Sequence, residues 1–220
     1  MEKSSAPICQ FEHQLGRCIA QHQLKRVLVV GEDHVVPYDQ HRRALLICQV
    51  PSFSGGDHDV IDTNTQQILY RSSGKVLWSK ELERRDTCTG VPIVAVRSKD
   101  PFGEYASFDI CLPANEGGEL LTRIKGRRHG EHSTLEGTFV CESARHLPLL
   151  VVKAGFVDMF FYLGHPAGHG VLIGRMEAER HLSGSDTMSL TVVPGVDAVL
   201  LVYICVLADF VQRTDDLTGW

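Results

Sequence analysis

No apolar run in this chain of 220 residues is long enough to cross a membrane as a helix. The longest, residues 198–208, contains no charge and is closed by Asp209. A membrane-spanning helix needs roughly 20 apolar residues, so no transmembrane span is expected. Basic excess is missing too. The net charge is −5, which argues against a general nucleic-acid binder. The seven cysteines, at 9, 18, 48, 88, 111, 141 and 205, are odd in number and include no C-x-x-C pair. A zinc site or a disulfide framework normally shows close, regular spacings. Residues 1–20 lack the apolar core of a secretory signal. Together these absences point to an intracellular, cytoplasmic protein with reduced thiols, in which peripheral contact with a membrane stays open. A long 3.6-residue period is also missing before residue 194.

What the chain does have is many short apolar or alternating segments between turn signals. They begin with 27–30, 44–50, 59–62, 67–70, 75–78 and 93–96. They continue with 106–112, 120–124, 138–141, 149–152, 159–163, 171–173 and 188–193. Asp62-Thr-Asn-Thr65 and Ser72-Ser-Gly74 read as turns, 33–40 as a connector, and 177–182 as a site for a helical turn. About a dozen strands at this spacing predict an all-β sandwich or barrel. Residues 1–25 read as a poorly ordered segment, 26–213 as one domain, and 214–220 as a tail.

The run 198–208 is apolar on every face, and such a helix must sit in a core. The economical arrangement is a closed antiparallel β-barrel of about twelve strands around one hydrophobic C-terminal helix. Asp197 is placed to cap that helix, after Pro194-Gly195 ends the preceding strand.

Three places in the sequence resemble the LURP-one-related family of the tubby C-terminal-like superfamily. Ser52–Asp57, with Val60-Ile-Asp62, Ile68-Leu-Tyr70 and Gly74-Lys-Val76, is similar to that family's opening hairpin. Leu182-Ser-Gly-Ser-Asp-Thr187 resembles its turn before the last strand, and Thr191-Val-Val-Pro-Gly-Val-Asp197 its approach to the final helix. The likeness extends over roughly residues 35–213. The chain departs from the pattern at Thr65-Gln66, where the family usually has glycine, and at Leu207-Ala-Asp-Phe210, where it usually has Leu-Asp-Glu. The resemblance implies a barrel of about twelve strands around a central helix, and no catalytic residue. Tubby relatives bind phosphoinositides through basic surface residues, and scramblase relatives are linked to lipid and calcium. None of those binding motifs matches here residue by residue.

The densest basic cluster is Arg123, Lys125, Arg127, Arg128 and His129. The first four are candidate contacts for an anionic lipid or another anion, since a basic group near anionic lipid contributes roughly 1 kcal/mol. The plainer reading is a solvated strand end and loop around Gly126 and Gly130. Lys80, Arg84 and Arg85 interleave with Glu81, Glu83 and Asp86 and read as an exposed turn. His165 and His169 lie in a Gly- and Pro-bearing segment that cannot hold a metal-binding helix face. Asp57, Asp59 and Asp62 lack the central glycine and terminal glutamate of a calcium loop. Ser183 and Ser185 do not sit in a G-x-S-x-G turn, and Cys88 and Cys141 have no partner visible in sequence. Phe156, Phe160, Phe161 and Tyr162 read as core or barrel wall, or else as an exposed patch. No cofactor, metal site or catalytic residue is expected. The leading expectation is a monomeric, non-enzymatic binding or scaffold domain that contacts a phosphoinositide surface or a protein. The alternatives are a scramblase-like lipid-handling protein and a hydrolase with an unrecognised site.

Overall fold

A computed structural model describes residues 27–38, 42–50, 57–73, 81–86, 92–100, 105–113, 118–129, 132–141, 144–154, 158–164, 170–179 and 186–218. Among them are twelve strands. They are β1 (Arg43–Gln49), β2 (His58–Asp62), β3 (Ile68–Ser73), β4 (Glu81–Asp86), β5 (Pro92–Asp100) and β6 (Tyr105–Cys111), followed by β7 (Leu120–His129), β8 (His132–Cys141), β9 (Ala144–Ala154), β10 (Asp158–Leu163), β11 (Val171–Glu179) and β12 (Thr187–Val192). The helix α1 (Ala198–Thr218) follows them. Each strand pairs antiparallel with its sequence neighbours, and β1 pairs with both β2 and β12, so the strand order closes on itself. The mainly β class and the C-terminal helix agree with the sequence expectation.

Alternation sets the two faces of the wall. Along β12 Met188, Leu190 and Val192 are buried while Ser189 is exposed. Along β2 His58, Val60 and Asp62 are buried between half-buried neighbours. Period-2 burial is what a strand with one covered face requires. What covers that face is α1. Every residue from Ala198 to Ala208 is buried, none exposed by more than 4%. Tyr203 donates its hydroxyl to the Val94 carbonyl of β5 at 3.2 Å. On the other side, a Cβ added to Gly174 of β11 would lie 2.7 Å from Leu201 Cδ1. Strands β5 and β11 are six places apart in a ring of twelve, so the helix reaches from one wall to the opposite one.

At the end of the barrel where β12 stops, residues 27–36 form a strap that grips the Pro194–Asp197 turn. Val27 donates to Gly195 O at 2.8 Å and accepts from Asp197 N at 3.0 Å. Val36 donates to Val196 O at 3.0 Å and accepts from Gly195 N at 2.8 Å. Gly195 has φ +81, and a Cβ there would meet the Tyr38 ring at 2.8 Å or less. Left-handed backbone and close ring contact both require glycine.

Several expectations are corrected. Residues 27–30 are not a strand; Val27 makes a single bridge to Val196, and Val29 and Val30 bend so that their amides turn toward Asp197. The charged stretch 81–86 is strand β4 rather than a turn, because the ladders to β3 and β5 bond backbone groups whatever the side chains are. Ser72 and Ser73 belong to β3, and residues 177–179 to β11, where a turn and a helical turn were expected. Strand β7 continues through the basic cluster to His129. Helix α1 runs on through Thr218, past the expected boundary at 213 and into the expected tail. Still, no helix among the described residues is long and apolar enough to cross a membrane. Residues 1–25, the strand expected over 75–78, Phe156, Cys88, His165, His169 and the turn at 182–185 lie outside the described residues.

Candidate functional surface

The basic cluster lies along β7, and the strand divides it. Arg123 and Lys125 are exposed, while Ile124 and Gly126 between them are buried. Arg127 has the register parity of the exposed pair and Arg128 that of the buried one; their side chains lie outside the described structure. Arg123 sits directly opposite Asp109 of β6. Its Nε and Nη2 donate to the two carboxylate oxygens at 2.6 and 3.1 Å. The Asp109 hydrogen bonds and charge hold the Arg123 guanidinium above its ordinary pKa. Lys125 stands opposite the exposed Glu136 of β8. Of the four candidate cations, Arg123 is thus ion-paired with a carboxylate and Lys125 stands opposite one.

The same pairing recurs around the wall. Arg71 of β3 faces Asp59 of β2 and binds it through Nε and Nη2 at 2.7 and 3.1 Å. Arg43 of β1 reaches Asp62 of β2 at 3.2 Å. Arg175 of β11 reaches Asp158 at 3.2 Å, binds Glu177, and lies 5.5 Å from the centroid of Phe160. Cross-strand opposite charges stabilise a sheet by a few tenths of a kcal/mol to about 1 kcal/mol. They also cancel the field that an anion would feel.

Asp59 and Asp62, read above as a poor calcium loop, are thus occupied. Asp62 also accepts the amides of Asn64 and Thr65 at 2.9 and 3.2 Å, closing the turn. Burial pushes its carboxyl up, but those amides and Arg43 outweigh it and hold it below the usual carboxylate range. Among the described residues no three His, Cys, Asp or Glu side chains are grouped to hold a metal ion.

One serine–histidine contact was not legible in the sequence. Ser72 Oγ lies 3.4 Å from His58 Nδ1, and both residues are buried. Ser72 Oγ also accepts the His58 N–H at 2.8 Å and donates to the His58 carbonyl at 3.3 Å. These bonds fasten β2 to β3. Cys48 is half-buried on β1, and burial followed by the Asp59 charge pushes its thiol up, away from the reactive thiolate. Of the aromatic group, Phe161 is in the core, while Phe160 and Tyr162 are half-buried on β10. His129 and His132 stand opposite each other at the β7–β8 hairpin.

Asp197, wholly buried at the start of α1, accepts five backbone amides. Its Oδ1 accepts the amides of Val199 and Leu200 at 3.0 and 3.2 Å, the expected helix cap. Its Oδ2 accepts those of Val29, Val30 and Gly31 at 3.3, 2.7 and 3.4 Å. The strap half of this constellation carried no sequence signal, because it joins residues 166–168 positions apart.

A wall of paired charges around a lumen filled by its own helix defines a class, the mainly β domain with a buried C-terminal helix. Within that class the chain belongs to the LURP-one-related family, whose profile matches residues 43–209. The fold is similar to the crystal structure of an Arabidopsis thaliana protein. The TM-score is 0.57 at 19% sequence identity, over 84% of this chain and 99% of that one. No curated protein matches the sequence.

Proposed function

We propose that the chain is a non-enzymatic binding or scaffold domain that makes its contacts on the outside of the barrel. The observation that carries this reading is the filling of the interior by residues 198–208, all buried. A substrate site needs a concave, partly polar space with converging titratable groups, and here the helix takes that space. Among the described buried polar groups, Asp197 binds backbone amides, Ser72 binds His58, and Asp62 binds Arg43 and the amides of its own turn.

A second reading keeps β7 as a peripheral contact for anionic lipid. Lys125 is exposed, Arg127 shares its parity, and Arg123 and Arg128 complete the candidate set. Co-sedimentation with phosphoinositide-containing vesicles, at low and high salt, tests it. Binding that weakens with salt, and falls when Arg123, Lys125, Arg127 and Arg128 are changed to Gln, supports β7. Equal binding by that variant removes β7 from the role. For the leading reading, a substrate turned over by the purified chain, with the activity lost on Ser72→Ala or Cys48→Ala, would overturn it.

A further inference from the structure

We propose that the outer face of β10 and β11 around Arg175 is a docking surface for the chain's own residues 1–26, which lie on it as an amphipathic helix. The inference goes beyond the proposed function and does not depend on it. Arg175 points away from the lumen. Its neighbours face inward, Gly174 toward Leu201 of α1 and the buried Met176 opposite the buried Met159. Arg175 stands between Phe160 of β10 and Thr191 of β12, and it binds Asp158 and Glu177. Arg71 and Arg123 make the same kind of cross-strand pair on other strands, yet their side chains are 58% and 44% exposed. The Arg175 side chain is 8% exposed. Ion pairing along the wall thus leaves an arginine open to water, and Arg175 is closed off by something lying over it. Phe160 and Tyr162, which alternate with the core residues Met159 and Phe161, are half-buried on the same outer face. Two aromatic rings beside the carbon stem of an arginine make an apolar platform with a fixed charged edge.

The gradient of exposure shows from which end the cover comes. Along β11 Glu179 is exposed, the Glu177 side chain is 46% exposed and Arg175 8%. Asp158, next to the connection 155–157, is 27% exposed. A cover arriving from 155–157 or 180–185 would bury those residues before Arg175. The cover therefore arrives from the end where β12 stops. Two stretches begin there. The connection 165–169 leaves and returns at one point, since a Cβ on Gly164 would lie 3.5 Å from Gly170 Cα. Its excursion is about 8 Å at roughly 3.3 Å per residue, while Arg175 is about 16 Å along β11 from Gly170. Residues 1–26 are the other stretch. They join the strap at Val27, which is bonded to Gly195 and Asp197 just beyond β12. From Gly195 back to Thr191, opposite Arg175, is about 13 Å. Within 1–26, Ile8, Phe11, Leu15 and Ile19 recur at spacings of three and four, with Pro7 ahead of them. That is one apolar stripe on a helix. A helix over 8–19 is about 18 Å long, and residues 20–26 bridge the remaining gap. So short a helix is marginal in water and depends on the wall for its order.

The test uses the full chain. Hydrogen exchange read by mass spectrometry should show the amides of residues 8–19 protected at least about tenfold over a free peptide of residues 1–26. Hydroxyl-radical footprinting reports on Phe160 and Tyr162, and phenylglyoxal labelling on Arg175. The double variant Phe11→Asp, Leu15→Asp should erase the protection and raise the labelling of Phe160, Tyr162 and Arg175 severalfold. Core Phe161 should stay unlabelled and cooperative unfolding should be retained. Changing the wall instead, by Phe160→Ser with Tyr162→Ser, should free the same amides. Phe156→Ala should leave both readouts at the parent's values. Amides of 8–19 that exchange in the parent as they do in the free peptide would overturn the proposal, whatever any variant does. So would protection that survives the wall variant, unchanged labelling of Arg175 in Phe11→Asp, Leu15→Asp, or a rise in that labelling in Phe156→Ala.

Discussion

Asp197 and Val30 are joined by the shortest of five amide-to-carboxylate bonds, the Val30 N–H donating to Oδ2 at 2.7 Å. With Val29, Gly31, Val199 and Leu200 the carboxylate ties the strap to the first turn of α1. Burial pushes the Asp197 carboxyl up, and the amides with nearby His34 oppose it. All five partners are donors. That arrangement suits a carboxylate and has no place for an amide NH2. Asp197→Asn should therefore destabilise the fold by about 2–4 kcal/mol through amides left poorly matched. Denaturant unfolding measures the loss. Hydrogen exchange should show Val29, Val30 and Gly31 less protected, and unchanged protection there would remove Asp197 as the tie.

The family profile begins at residue 43, after the strap. A chain starting at Arg42 loses four backbone bonds and the three strap amides on Asp197. At about 1 kcal/mol net for each bond, with the contacts of the buried Val27 and Val36 lost as well, the loss rivals the whole stability of an ordinary domain. The truncated chain is expected to unfold without a cooperative transition. A sharp thermal transition at the full-length midpoint would show that the strap is dispensable.

Gln66 holds φ +58 at the turn where the family usually carries glycine. Left-handed backbone costs a residue with a Cβ about 1–2 kcal/mol, and glycine recovers this less its own entropy. Gln66→Gly should stabilise the protein by about 0.5–1 kcal/mol, even though the exposed bond from Gln66 Nε2 to Thr63 O is lost. A lower unfolding midpoint would mean that this bond outweighs the strain.

Asp62 gives the fold a dependence on pH. Its carboxyl is held below the usual range in the folded state. The folded chain therefore binds its proton less readily than the unfolded chain. Asp62 contributes its full stabilisation above roughly pH 4–5, and the contribution fades as pH falls through the lowered folded value. Asp62→Asn should lose stability at neutral pH and show a shallower decline into acid. Parallel stability–pH curves for the two proteins would contradict this.

Legibility in the sequence followed sequence separation. The run 198–208, the Asp197 cap and most strands were readable because each is a local pattern of hydropathy or turn chemistry. Strand β4 was missed because Glu81–Asp86 carries one apolar residue in six, and backbone pairing with its neighbours decides it. The reach of β7 through Arg127 and Arg128 was missed for the same reason. The candidate surface was less legible still. Arg123 reads as a free cation until β6 brings Asp109 opposite it.

The contact between Gly174 and Leu201 tests whether the helix fills the lumen tightly. A Cβ at Gly174 would come within 2.7 Å of Leu201 Cδ1 and 3.0 Å of the Thr191 carbonyl. The first atom ends a flexible side chain, but Leu201 is wholly buried and has little space to turn into. The second belongs to the paired backbone of β12. Gly174→Ala should cost about 1–3 kcal/mol by overpacking, and Leu201→Ala about 2–5 kcal/mol by leaving a cavity. Together they should cost less than their sum by about 1 kcal/mol, because the smaller residue at 201 makes room for the methyl at 174. Strict additivity would mean that the Thr191 carbonyl, rather than the helix, sets the limit. Val202→Asp or Ile204→Asp, which buries a carboxylate among apolar neighbours, should abolish cooperative folding. An unchanged midpoint in either would place α1 outside the core.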